Sequence, residues 1–472
     1  MPERVVIVGG GVGGLMSALA FGRAGHEVIV LERDPLPPTA DAEEAFVAER
    51  RGAPQVHQTH GFLARLQVLL RDRFPDVLDE LLAVGGSTLP MTRNLGPAQP
   101  GDEDLRVIIV RRTTLEWVLR TAALAQPHVE VRTDQVVTGL LAGPPAADGT
   151  PVVRGVRLQD GAEVEADLVV ACTGRRGDLP GWLGELGVAV PETIHESGLM
   201  YLTRWYRTPD VEVPLDAKLG GDLGFVKFLG IPGDGGTLSV TLAVRTADGA
   251  LRNALSVAER FDQACEALPG PDIFFRAGPL EPIGGVRPMT GLLNRLRRFT
   301  DEDGRPAVLG FHAVGDCHTT TNPLYGRGCS LAAVQAVLLA DAAAAHPGDA
   351  AGRANEYEAA CRREVEPWFE ASVQMDRMGA DPLGRGLGGD ADNPMGKAFG
   401  ALFAAAATDP ILGRALARLM NLLTLPGDLM ADPAVLARAS EVMADPDAYP
   451  LPTTEGPSRE ELLEALAAEP AA

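Results

Sequence analysis

Six residues near the start of this chain, Gly9-Gly10-Gly11-Val12-Gly13-Gly14, constrain its fold more than any other feature. They join a β-branched run at 5–8, the pattern of a strand buried on both faces, to an alanine-rich helical pattern at 15–24. A second strand pattern follows at 27–31. This is a βαβ unit with a G-x-G-x-x-G loop between strand and helix. Gly9 permits the tight turn, Gly11 lets a pyrophosphate approach the backbone, and Gly14 allows close helix–strand packing. The anion rests on unpaired N–H groups around Val12 and Gly13, at the positive end of the helix. Glu32 ends the second strand 21 residues after Gly11, where an acid bonds ribose hydroxyls. A glycine loop alone also fits a structural turn; strand, helix and acid together predict a dinucleotide site.

The rest of the chain predicts three further regions. Strands are expected at 105–110, 129–132, 136–141, 152–158, 162–165 and 168–171, the middle four as a meander with Asp-Gly turns at 148–149 and 160–161. Residues 35–60 read as a polar connection, 61–70 and 76–83 as helices, and 113–124 as a helix capped by Thr113 or Thr114. From 185 to 300 alternating strands at 198–206, 224–231 and 237–244, with a helix at 255–267, predict an antiparallel sheet. A buried strand at 307–314 and a helix at 330–345 return to the first pattern. Residues 352–472 are mostly helical, with 450–457 an exposed connection. The fold class expected is α/β: a Rossmann-like cofactor domain (1–184 and 301–350), an inserted antiparallel-sheet substrate domain (185–300) and a C-terminal helical region (351–472).

Composition excludes several function classes. Among 472 residues, 64 acidic against 42 basic side chains give a formal net charge of −22, which repels nucleic acid and anionic membranes. Five cysteines without C-x-x-C pairing argue for a reducing cytoplasm and against disulfides or zinc. His57 and His60 offer too few ligands for a metal. No leader segment is expected ahead of the first strand. No apolar run reaches the ~18 residues of a membrane span; the nearest, 398–407, reads as a buried helix. Cys317 and Cys329 read as small packing residues. His318 lines a site or an exposed loop, and Tyr201, Trp205 and Tyr206 line a pocket or a core.

The stretch AVGDCHTTTNPLYGRGCSLAAVQA at 313–336 resembles the second flavin motif of aromatic hydroxylase-type flavoproteins. The Glu32-Arg33 pair likewise resembles FAD-binding oxidoreductases more than NAD dehydrogenases. The resemblance implies FAD, with Asp316 on its ribitol. Pro323, Gly326 and Gly328 would start a helix under the isoalloxazine, and N–H groups near Gly328 and Cys329 would face the flavin. RRGAPQVHQTHGFLARL (50–66), RRTTLEWVLR (111–120), ADLVVACTGRRGDLPGWL (166–183) and SGLMYLTRWYR (197–207) resemble the flavin-dependent epoxidases of bacterial polyether biosynthesis, relatives of squalene epoxidase. That likeness implies Arg112 at the FAD phosphates, Val136 by the adenine, and Gln55 and His57 near the flavin, with Thr173 and Gly174 also at the cofactor.

It implies a monooxygenase acting through C4a-hydroperoxyflavin on a small apolar organic substrate with O₂, by alkene epoxidation or hydroxylation in secondary metabolism. The catalytic element is the helix start at Pro323, Gly326 and Gly328, with His57 beside it. An FAD-dependent dehydrogenase or ene-reductase of the geranylgeranyl-reductase kind is the alternative. Where aromatic hydroxylases carry an Asp-Gly pair that couples NAD(P)H to FAD, this chain has Cys172-Thr173-Gly174-Arg175. Electrons are therefore expected from transiently bound NAD(P)H or from a separate flavin reductase.

Overall fold

A computed structural model of the chain describes residues 2–36, 39–208, 219–379, 394–449 and 456–467. The first strand β1 (Arg4–Val8), helix α1 (Val12–Arg23) and second strand β2 (Glu27–Leu31) form the expected unit. Helix α2 (Arg112–Leu124) leads to β3 (Val129–Arg132), and β4 (Leu168–Ala171) follows a three-stranded antiparallel meander. Next come the long antiparallel strands β5 (Leu199–Arg207), β6 (Val226–Gly233), β7 (Thr237–Arg245) and β8 (Glu281–Met289). The chain then returns through β9 (Phe311–Ala313) into helix α3 (Gly328–Ala345) and, further on, helix α4 (Glu366–Gly379).

Two sheets carry the architecture. The first is parallel, in the order β9-β4-β1-β2-β3. Its strands at β1 and β4 are almost wholly buried, which is why they read as unbroken apolar runs rather than alternating ones. The second sheet is antiparallel, in the order 220–222, β6, β7, β5, β8. Its two faces follow the period of two. Met200, Leu202, Leu238, Val240 and Leu242 enter a core with the helices at 249–277, while Tyr201, Thr203, Thr241 and Ala243 stand on the opposite face.

Several expectations are corrected. The 129–132 strand leaves the meander and pairs in parallel with β2, because Val129 and Val131 pack into the main core. The 35–60 connection contains helix Ala42–Val47, capped by Asp41, and a 3₁₀ turn Pro54–His57. A strand at Ser87–Pro90 pairs with Arg106–Ile109 and had no clear sequence signal. Neither Thr113 nor Thr114 caps α2: Arg111 holds that position, and the Thr114 hydroxyl donates to Asp234 at 2.7 Å. His318 neither lines a site nor lies exposed; it is buried, stacked on Phe299 at 5.8 Å and 3.4 Å from Glu358. Most of the 450–457 connection lies outside the described residues.

One helix among the described residues, α3, is long and apolar enough to cross a membrane, with a mean hydropathy of 1.6. Asp341 interrupts its apolar run, yet abundant alanine and leucine keep the average high. Most of it is buried in the main core. The helix at Pro394–Ala405 is shorter, and its Ala401, Leu402 and Ala405 are buried.

The tip of the β6–β7 hairpin fastens the second sheet to α2. Gly235 (φ +64°) and Gly236 (φ +60°) make the left-handed turn that presents Asp234. Its carboxylate accepts from the Arg111 backbone N–H at 2.7 Å and from Arg111 Nε and Nη2 at 3.0 and 2.7 Å. Both side chains are 1% exposed. Asp234→Ala would strand the guanidinium without its main partner, and breaking a buried pair costs about 3–5 kcal/mol. Denaturant unfolding should show that loss, and a stability within about 1 kcal/mol of the parent would refute the role given to the pair.

His312 in β9 adds a pH dependence. It is 3% exposed, edge-on to Tyr357 at 5.4 Å. Burial, with the nearby Arg353 and His318, lowers its pKa to about 3. The unfolded chain therefore binds a proton that the native state refuses, so stability is full above about 6.5 and falls as pH drops below it. The slope from this group reaches about 1.4 kcal/mol per pH unit. Unfolding midpoints measured from pH 7.5 down to 5 should flatten in His312→Phe; identical slopes in both proteins would contradict this.

Candidate functional site

A cavity of about 890 Å³ opens between the two sheets, within the size range of cofactor and ligand sites. Its first wall is the glycine loop. Gly9 has φ +109°, and a Cβ there would lie 2.5 Å from the Cys172 carbonyl oxygen. Gly14 sits behind the wall, where a Cβ would meet the Gly9 carbonyl oxygen at 1.9 Å. Gly11 is different: its nearest neighbour to such an atom is 3.8 Å away, leaving room on the cavity side.

Two helices begin at this cavity without a side-chain cap. Gly11 precedes α1 and Arg327 precedes α3, and neither caps its helix. Asp41, Asp178, Asp248, Asp349, Asp409 and Asp432 cap other helices, while α2 and four more among the described residues also start without a side-chain cap. The free N–H groups at both starts suit an anion or a developing negative charge. A Cβ on Gly328 would meet nothing within 4 Å, so a flat group can approach that helix start. Gly326, in the preceding turn, has φ +66°.

A buried ionic network backs the glycine loop. Glu32 accepts from the Gly10 N–H at 2.6 Å and the Asp34 N–H at 2.9 Å, which ties the loop to the end of β2. Arg50 reaches Asp34 at 3.2 Å and Glu116 at 2.5 Å. Glu116 also holds Arg112 Nε at 3.0 Å. Arg112 Nη1 donates to His60 Nε2 at 3.0 Å, while His60 Nδ1 lies 2.8 Å from the Gln58 carbonyl oxygen. That pairing puts the imidazole proton on Nδ1. Burial and Arg112 lower the His60 pKa to about 3, so it stays a neutral acceptor that aims Arg112.

Across the cavity, Asp316 shows no side-chain hydrogen bond from the described residues. Burial raises its pKa, while Arg175, Arg112 and Arg295 pull it back. Seven cationic side chains line the cavity against Glu32, Asp178 and Asp316. In a chain of net charge −22, that local excess marks a site built for anionic groups. A glycine cradle with room, two uncapped helix starts and surplus cations fit the pyrophosphate and flavin of FAD.

The structure brings most expected site residues together. Gly9, Gly11, Val12, Gly13, Glu32, Arg33, Gln55, Arg112, Val136, Thr173, Gly174, Asp316, Pro323, Gly326, Gly328 and Cys329 all line the cavity. His57 does not. Its ring packs against Phe46 at 5.7 Å, its carbonyl accepts from Trp205 Nε1 at 2.7 Å, and burial and Arg287 lower its pKa to about 4. Gln58, Thr59 and His60 reach the wall instead. Of the strand aromatics, Tyr201 lines the cavity; Tyr206 joins the helix-covered core and donates to Asp262. Arg50 and Glu116 were missed as site residues. The spacing of four between Arg112 and Glu116 was a usable signal.

Residues 4–37 match the model of the FAD binding domain. The chain is 26% identical over 390 residues to kynurenine 3-monooxygenase of Salinispora arenicola (strain CNS-205), covering 79% of each. Among solved structures, p-nitrophenol 4-monooxygenase PnpA from Pseudomonas putida DLL-E4 is similar at a TM-score of 0.61 and 18% identity, covering 89% of this chain and 98% of that one. The Diels-Alderase PyrE3 of pyrroindomycin biosynthesis is similar at 0.61 and 18%, covering 90% of this chain and 82% of that one. The glycine loop lies inside the matched FAD binding segment, and the chain shares its overall fold with p-nitrophenol 4-monooxygenase PnpA and PyrE3.

Proposed function

We propose that this protein is an FAD-dependent monooxygenase that transfers one oxygen atom of O₂ to an organic substrate held against the cavity face of β5, β6 and β7. The observation that carries this reading is the single cavity shared by two elements. The glycine loop, Asp316 and the α3 start suit a flavin dinucleotide, and the same space is lined by Leu229, Ile231, Ala243 and Met289. Two of the relatives named above are monooxygenases.

FAD, when bound, supplies the activation of O₂. The protein binds, orients and excludes water. Gly11, Val12 and Gly13 present N–H groups to the pyrophosphate with Arg112 beside them, Glu32 and Asp316 take the ribose and ribitol hydroxyls, and Val136 borders the adenine. Gln55, Arg33, Thr173, Gly174 and Cys329 complete the cofactor side. Pro323, Gly326 and Gly328 shape the helix start whose N–H groups stabilise negative charge on the ring system. The apolar residues on the sheet side keep water out. Epoxidation of an apolar alkene of polyketide or terpenoid type fits this pocket first, and ring or aliphatic hydroxylation second. Cys172-Thr173-Gly174 in place of Asp-Gly favours electron supply by transient NAD(P)H or by a separate flavin reductase.

The reaction class is tested with a flavin reductase system, ¹⁸O₂ and a panel of alkenes and phenols. The expected product carries one ¹⁸O atom from O₂ and none from water. A hydrogenated product without oxygen would replace this reading with an ene-reductase.

Gly11→Val and Asp316→Ala test the cofactor site. Both should fold, since a Cβ at Gly11 meets nothing nearer than 3.8 Å and Asp316 has no side-chain hydrogen bond from the described residues to lose, and each should weaken FAD binding by more than about tenfold, or about 1.4 kcal/mol. Fluorescence titration of the apoprotein reads this directly. Full FAD occupancy in both variants would sink the assignment.

A further inference from the structure

Helix α4 lies outside the glycine loop and the α3 start, yet one of its side chains governs the cavity wall. The Asp376 carboxylate accepts from Asn294 Nδ2 at 2.7 Å, Asn322 Nδ2 at 2.8 Å and the Tyr325 hydroxyl at 2.6 Å. A carboxylate only accepts, so the single Tyr325 proton is committed to it. The Asn322 amide is oriented from both sides. Its NH₂ faces Asp376, and its Oδ1 receives the Leu324 N–H at 3.1 Å, a group that only donates. That oxygen also receives the Tyr201 hydroxyl at 2.7 Å. Burial raises the pKa of both tyrosines, with the Asp376 charge adding to it, so both remain phenols. Each has given its proton away from the cavity it lines.

We propose that Tyr201 and Tyr325 form a hydrogen-bond-accepting wall, with Asp376 as its positioning residue, and that this wall selects a substrate bearing a hydroxyl or N–H donor. The proposal rests on the reading of this face as the substrate side. A donor group meets open lone pairs here. Against the Tyr201 and Tyr325 hydroxyls an ether or carbonyl oxygen meets only acceptors and loses its water without replacement, which is unfavourable. The substrate is therefore an otherwise apolar molecule with an alcohol, phenol or amine.

The test compares 2-naphthol with 2-methoxynaphthalene, which keeps the rings and loses the donor. Binding to the FAD-loaded protein is read from perturbation of the flavin spectrum, with the flavin oxidised and no reductant present. The naphthol should bind at least about tenfold more tightly. Tyr201→Phe removes one acceptor. Asp376→Ala frees the Tyr325 proton and lets the Asn322 amide turn. Both should bring the ratio towards one while FAD stays bound, and in Asp376→Ala the methoxy compound should gain affinity, which a loosened fold alone would not produce. Equal affinities in the parent protein, binding of neither probe, or an unchanged ratio in both variants would overturn the proposal. Since no turnover is needed, its failure and a failure of oxygen transfer are read separately.

Discussion

Gly14 has no space for a side chain, and much of the molecule follows from that. A Cβ would sit 1.9 Å from the Gly9 carbonyl oxygen, so α1 approaches the end of β1 more closely than any other residue type allows. One residue earlier, a Cβ on Gly13 would reach both Val314 and Ala332 at 3.5 Å. The tight fit of α1 on the sheet thus also fixes α3 beside it. Two helix starts brought this near each other, both uncapped, leave their N–H groups facing one cavity. The carboxylates and guanidiniums behind the loop then hold that backbone in place.

Electrostatics divides between the outside and the interior of this chain. Most of its acidic excess is at the surface, where individual ion pairs such as Arg132–Glu130 or Arg154–Glu165 contribute little. Inside, Arg50, Glu116, Arg112 and His60 are largely out of solvent and each has a partner. Their value lies in aim rather than net stability, because desolvation offsets most of the attraction between buried charges. The neutral His60 is part of this: a cation there would repel Arg112.

What was legible in the sequence was local. The glycine loop, Glu32 and the turn into α3 each occupy a few consecutive residues whose chemistry follows from spacing, and the structure places them around one cavity. Alternation marked β5, β6 and β7 as strands of an antiparallel sheet, while which face meets the cavity was set by the helices at 249–277, which cover the other. The misses involve partners far apart in the chain. Arg50 and Glu116 are 66 residues apart, and the strand at 129–132 joined the wrong sheet because its pairing partner, β2, is remote. His318 sits in a cofactor-like motif, yet Phe299, Tyr357 and Glu358 enclose it, and no local pattern announces three such neighbours. The Thr114 hydroxyl was misread for the same reason, since Asp234 lies 120 residues away.

Leu462 and Leu466 lie in the core beneath the antiparallel sheet, packed with helices from the 249–277 segment. Arg459 fastens the same helix to Asp248 at 2.6 Å. This has a consequence for biosynthesis. The ribosome delivers the sheet long before the helix that finishes its cover, and β4 likewise waits for β9 to pair its free edge, as α1 waits for α3 to pack beside it. During translation both cores therefore expose apolar surface that only late residues conceal, a condition in which nascent chains depend on chaperones to avoid sticking to one another.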